Sequence, residues 1–121
     1  MPRDLVEAAR LYRLSADQGD ARAQGNLSNC YIKGEGVAVD YAEAMRWARL
    51  SADKGDALGE CNVGALYANG WGVPHDLRAA IMWFSRASTQ GHEKAKTNLL
   101  KLASAGVPDA VAAVQHLRLA P

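Results

Sequence analysis

The chain has 121 residues, 49% of them hydrophobic, and its 14 Lys plus Arg stand against 13 Asp plus Glu for a net charge of +1. That is about one domain's length with enough apolar content for a core, and the even charge, with no basic block or basic-aromatic stripe, argues against a nucleic-acid partner. No apolar run reaches the roughly 20 residues of a membrane span, and MPRDLVEAARLYR lacks the basic-then-apolar layout of a signal peptide, so the expectation is a cytoplasmic protein, or a periplasmic one if the N-terminus is processed or truncated.

One sentence is spelled out repeatedly along the chain. Asp4, Asp40 and Asp76 recur at a spacing of 36, as do Gly19, Gly55 and Gly91; Asn26, Asn62 and Asn98; and Gly34, Gly70 and Gly106. Tyr31 pairs with Tyr67 and Trp47 with Trp83, and GVPDAVAAVQHLRLA is a partial last copy with one residue missing before Asp109. In chain order, Asp4 starts a first helix that closes at Gly19, because a carboxylate there accepts from the orphan N–H groups of the first turn and a glycine can take the left-handed closing conformation. A second begins near Asp20 and ends at Gly34. The pattern repeats from Asp40 to Gly55, from Asp56 to Gly70, from Asp76 to Gly91 and from His92 to Gly106, and Asp109 opens the last. The predicted helices cover about 4–18, 20–33, 40–54, 56–69, 76–90, 92–105 and 109–119.

Apolar spacing says how they pack. Gly59, Val63, Leu66 and Tyr67 make one narrow face, whereas Leu77, Ala80, Ile81, Trp83, Phe84, Ala87 and Ser88 cover a wider arc than a surface helix buries. Such a helix needs cover on two sides, which an array of helix pairs supplies and no single pair can. The expected fold is all-α: an alpha-alpha superhelix, or solenoid, of about seven antiparallel helices with a 36-residue repeat, right-handed, with Trp47, Trp83, Tyr31, Tyr67, Leu27, Val63 and Leu99 in its core.

The strings AQGNLSNCYIKGEGVAVDYAEAMRWARLSADKG and NVGALYANGWGVPHDLRAAIMWFSRASTQG resemble Sel1-like repeats, relatives of the tetratricopeptide repeat with a longer unit. The resemblance rests on Ala23-Gln24, on Val63-Gly64-Ala65-Leu66-Tyr67, on the Gly-x-Gly-Val turns at Gly34 to Val37 and Gly70 to Val73, and on Ala44 to Trp47 and Ala80 to Trp83. It divides a single domain over 1–121 into a half unit at 1–19, units at 20–55 and 56–91, and a degenerate unit at 92–121. Ser28 and Ala48 depart from it, replacing a glycine and an aromatic. Some members staple each unit with a disulfide; here Cys61 falls near one cysteine column, but Ser51-Ala52 occupies the partner column. Cys30 and Cys61 are therefore read as free, buried thiols.

No residues suggest catalysis, and no cofactor is implied. His75, His92 and His116 show no metal-ligand spacing, and the Gly-x-Gly-Val turns are not followed by the Lys-Ser/Thr of a phosphate loop. The resemblance implies a scaffold or adaptor for other proteins, with the helices from Asp20, Asp56 and His92 lining a concave side. On one flank of those helices lie Asn26, Asn29 and Lys33, then Asn62, Ala65 and Asn69, then Asn98 and Lys101, an amide-rich groove suited to the backbone of an extended peptide. The Asn column could equally hydrogen-bond between repeats. Trp71, on a turn between two glycines, is either a rim residue folded over Pro74 or a contact hot spot. A second possibility is self-association through the ends of the array, because the first helix carries Leu5, Val6, Ala9 and Leu11 with nothing preceding it.

Overall fold

In the computed structural model, which describes residues 2–119, seven helices follow one another with no strand among the described residues. They are α1 (Arg3–Asp17), α2 (Ala21–Lys33), α3 (Tyr41–Asp53), α4 (Ala57–Asn69), α5 (Leu77–Thr89), α6 (Glu93–Ser104) and α7 (Pro108–Leu117). The caps set these boundaries. Asp20, Asp40, Asp56 and Asp76 accept from the N–H groups of Arg22, Glu43, Gly59 and Ala79, and His92 accepts from Ala95 through Nδ1. Two expected caps differ. Helix α1 starts at Arg3 behind Pro2, and α7 starts at Pro108 behind Val107, with no side-chain cap at either. At α7 the proline at the first helical position has its φ preset and no orphan N–H to satisfy, and at α1 Pro2 itself takes the N-cap place with extended backbone; Asp4 and Asp109 fall inside the first turn and complement the helix dipole there instead.

Consecutive helices pack along the chain, α2 also lies against α4, and α5 against α7. The result is a solenoid whose core divides into joints. Ala16, Ala23, Leu27 and Trp47 form the first, Ala44, Ala48, Ala52, Val63 and Leu66 the second, and Cys61, Ala80, Ile81, Phe84, Ala87, Ala95, Leu99 and Ala110 the third. Helix α4 is buried on more than the narrow face its apolar residues mark, since Gly59, Glu60, Cys61, Asn62, Val63, Gly64 and Leu66 are all enclosed. Its central place in the array, between α2, α3 and α5, requires this.

Polar ties repeat with the sequence. Arg13 donates to the Tyr31 hydroxyl at 3.0 Å, and one unit later Arg49 donates to that of Tyr67 at 2.8 Å. Both tyrosines are accordingly half-buried, ring inward and hydroxyl outward, rather than core residues throughout. At the end of α3 the Lys54 ammonium donates to the Gly19 carbonyl and to Gln24 Oε1 (3.3 Å); at the end of α5 the Gln90 amide donates to the Gly55 carbonyl (2.9 Å) and to Glu60 Oε1 (2.7 Å). These clasps bind each helix pair to the one before it.

The two departures at Ser28 and Ala48 compensate each other. In the second unit Gly64 admits Phe84, whose ring carbons lie 2.7 Å from where a Cβ on Gly64 would stand. In the first unit the larger Ser28 faces the smaller Ala48, and its hydroxyl donates to the Ala44 carbonyl at 2.8 Å. Phe84 takes the core volume in its unit, which explains a correction: Trp47 is buried as expected, but its equivalent Trp83 is half-buried, with the Arg86 guanidinium 4.9 Å above its ring. The inter-unit turns press close to the preceding odd helix. A Cβ on Gly36 would stand 2.1 Å from the Leu5 carbonyl oxygen, and one on Gly72 2.9 Å from Tyr41 Cβ, at positive φ of 79° and 72°. Only glycine meets both demands.

Candidate functional site

Helices α2, α4 and α6 face one groove. Its wider part, about 330 Å³, is lined by Asn29, Ile32 and Lys33 of α2, Asn62, Ala65 and Asn69 of α4, Trp71 of the following turn, and Lys94 and Asn98 of α6. A contiguous pocket of about 230 Å³ shares Ala65, Asn69 and Asn98 and adds Ala68, Phe84, Lys101 and Leu102. Seven of the eight expected groove residues therefore line it: Asn29, Lys33, Asn62, Ala65, Asn69, Asn98 and Lys101. Asn26 does not; it is half-buried on α2 outside both parts.

The asparagine column does different things along the array. Asn62 is 3% exposed and its amide donates to the Gly25 carbonyl at 3.3 Å, so here the column ties two units together. The bond forms because α2 and α4 meet closely: a Cβ on Gly25 would stand 3.4 Å from the Gly59 backbone nitrogen of α4 and 3.1 Å from Oδ2 of its cap Asp56. One unit on, Cys61 occupies the Gly25 position and packs into the cluster that includes Ala95 and Leu99. This larger side chain stands between α4 and α6, whose backbones approach less closely than those of α2 and α4, and Asn98 makes no bond to the Cys61 carbonyl matching that of Asn62 to Gly25. The groove opens at this joint. Asn98 is left half-exposed in it, and Asn69 donates to Ala65 O at 2.8 Å, which leaves its own carbonyl oxygen as an acceptor.

Trp71 is a lining residue fixed from behind. Its ring stacks on Tyr41, centroids 5.1 Å apart and planes within 10°. Glycines on both sides let the turn lie flat enough for this stack. Three ammonium groups, Lys33, Lys94 and Lys101, ring the groove, and all three side chains belong to exposed residues. Lys94 and Ile32 lie outside the flank read from the sequence. Lys94 stands in the first turn of α6, where the unit before has Leu58, so no repeated column marks it as a groove residue.

Other chemistry-bearing groups sit in structural settings. Burial pushes the Cys61 thiol up to about 11 and raises that of Cys30 as well; both are free and inside the core. Burial, followed by the nearby Lys94 charge, pulls His92 below its ordinary value, in keeping with a neutral ring whose Nδ1 accepts the cap bond. Burial also raises Glu60, against the opposing bond from Gln90. Among the described residues no group of three or more His, Cys, Asp or Glu converges as metal ligands would, and no helix is long and apolar enough to cross a membrane.

The chain matches the family model described as Sel1 repeat at residues 1–20, 21–56 and 57–92. No curated protein matches it. Among solved structures it is similar to a protective antigen present in uropathogenic Escherichia coli strains that displays an SLR fold, at 37% identity and a TM-score of 0.75 over 84% of this chain and 22% of that one. It is also similar to a Sel1 repeat protein from Oxalobacter formigenes, at 35% identity and a TM-score of 0.76 over 93% of this chain and 47% of that one. The chain thus spans less than half the length of either solved relative. With three successive matches over the family model and a solenoid that superposes on both structures, the chain belongs to the Sel1 repeat family.

Proposed function

We propose that the chain is a non-catalytic interaction module that holds an extended segment of a partner protein in the groove between α2, α4 and α6. Sel1 repeat proteins generally mediate protein-protein interaction, and one observation of this chain carries the reading further: amides, three ammonium groups and a stacked indole from three successive units converge on a continuous groove. Amides that donate and accept suit a peptide backbone, the ammonium groups favour a segment with negative charge, and a Trp held rigid by stacking loses little freedom on contact. A photo-crosslinking residue placed at Lys33 should capture the partner in cells, and one at Met82, exposed on α5 outside the groove, should not. Equal capture from both positions rejects the groove.

A second reading, self-association, is favoured by a specific surface. Leu5, Val6, Leu11 and Leu14 of α1 are 36%, 44%, 52% and 54% exposed, beside a hollow of about 290 Å³ lined by Val6, Ala9, Leu27 and Val37. Light scattering across a concentration series should then show association that Leu14→Glu abolishes; a monomer at every concentration removes this reading.

A further inference from the structure

We infer that the Phe84-floored pocket at the α4–α6 joint takes the C-terminal residue of the partner, an apolar side chain carrying a free α-carboxylate; this rests on the groove reading above. The pocket has an apolar floor of Phe84, Ala65, Ala68 and Leu102, while Lys101 and Asn98 line the same small volume of about 230 Å³. That is below the roughly 300–1,000 Å³ of sites for drug-sized ligands, so it has room for one residue. An occupant must therefore present an apolar group to Phe84 and an anion to the Lys101 ammonium within a single residue. Acidic side chains lack the first and internal apolar residues lack the second. A chain's last residue has both on one Cα.

Electrostatics support the choice. Of the charged groups lining the groove, Lys33, Lys94 and Lys101 are all cationic and no carboxylate lines either part. Lys101 makes no ion pair among the described residues, whereas Lys96 on the same helix is engaged by Glu93 at 3.4 Å. The Asn98 amide, freed from the inter-unit bond that its equivalent Asn62 makes to Gly25, is available to donate to the second carboxylate oxygen. The first unit offers no such pocket, because Ala48 replaces Phe84 there and Asn62 is already committed.

The test is selection of the intact chain against a random hexapeptide library displayed with free C-termini, followed by titration of the selected peptides as acid and as amide. Enrichment of Leu, Ile, Val, Met or Phe at the last position is expected, with amidation weakening binding about tenfold or more, the scale of one lost charge-assisted hydrogen bond. Lys101→Ala should weaken the acid by a similar factor and leave the amide unchanged, and Ala68→Leu, which fills the pocket, should weaken both; melting curves of both variants establish that they fold. Peptides selected for an internal acidic residue, bound equally as acid and amide and weakened by Lys33→Glu, would overturn the inference while leaving the groove reading in place. Selected peptides indifferent to Lys33→Glu and Lys101→Ala, or no selection at all, would overturn both.

Discussion

Replacing Gly64 with serine puts its Cβ 2.7 Å from two ring carbons of Phe84 and 3.2 Å from the Ala80 carbonyl oxygen, with Phe84 itself 2% exposed and unable to swing out. Overpacking of this kind costs about 1–3 kcal/mol, and removing a helical glycine offsets about 0.5 kcal/mol of it, so Gly64→Ser should destabilise by about 0.5–2.5 kcal/mol. Phe84→Ala alone leaves a cavity and should cost about 3–5 kcal/mol. The double variant recreates the pairing found one unit earlier, where the Ser28 hydroxyl donates to Ala44 O opposite Ala48. It gives the new hydroxyl the Ala80 carbonyl to bond and removes the clash. Urea unfolding of the wild type, both single variants and the double variant should show the double variant at least about 1 kcal/mol more stable than the sum of the singles, a coupling typical of residues in contact. Additivity within about 0.5 kcal/mol would refute the compensation argument and with it the account of why Phe84 rather than Trp83 fills the core.

Asn62→Ala should lower stability by about 0.5–1.5 kcal/mol, the net worth of the bond across the joint to the Gly25 carbonyl, and should leave partner affinity per folded molecule unchanged; unaltered unfolding with weaker binding would return Asn62 to a contact role. Glu60 has a folded-state pKa raised by burial, so its contribution favours the native state below the ordinary carboxylate value and is lost as pH rises through the raised value. Glu60→Gln should therefore raise the melting temperature near neutral pH, with the difference shrinking toward about pH 4; an equal effect at both would show that ionisation is not the cause. Cys61, with its thiol pushed up to about 11 and buried, should react with a disulfide reagent only at the rate of unfolding, and a fast reaction in the native protein would contradict its place in the third core joint.

Helix positions were legible because the same signals that mark them in sequence perform the capping in space: the side chains of Asp20, Asp40, Asp56, Asp76 and His92 all accept first-turn N–H bonds. Asp4 and Asp109 misled because a proline two residues before one and immediately before the other starts the helix without a side-chain cap. The groove was legible as a flank, since a period of one unit stacks Asn29, Ala65 and Lys101 along the same side of successive even helices. Its depth was not. Whether Asn62 or Asn98 bonds across the joint depends on how closely two helix axes approach, and that turns on Gly25 against Cys61, residues outside the asparagine column. Trp83 failed as a core residue for a related reason: its column says tryptophan, but its neighbour Phe84 had already been given the space by Gly64.

The clasps from Lys54 to Gly19 and Gln24, and from Gln90 to Gly55 and Glu60, join residues 30 or 35 apart in sequence, and the longest tie of this kind, Asn62 to Gly25, spans 37. No contact among them requires the chain to close a loop much longer than one unit, so the entropy of loop closure is the same at each joint and does not grow with the number of joints. Inserting a second copy of residues 56–91 after Gly91 would therefore give each new helix a clasp already written in its own residues, and removing that segment would leave the Lys54 clasp to Gly19 and Gln24 whole. Length in such a chain is a free variable.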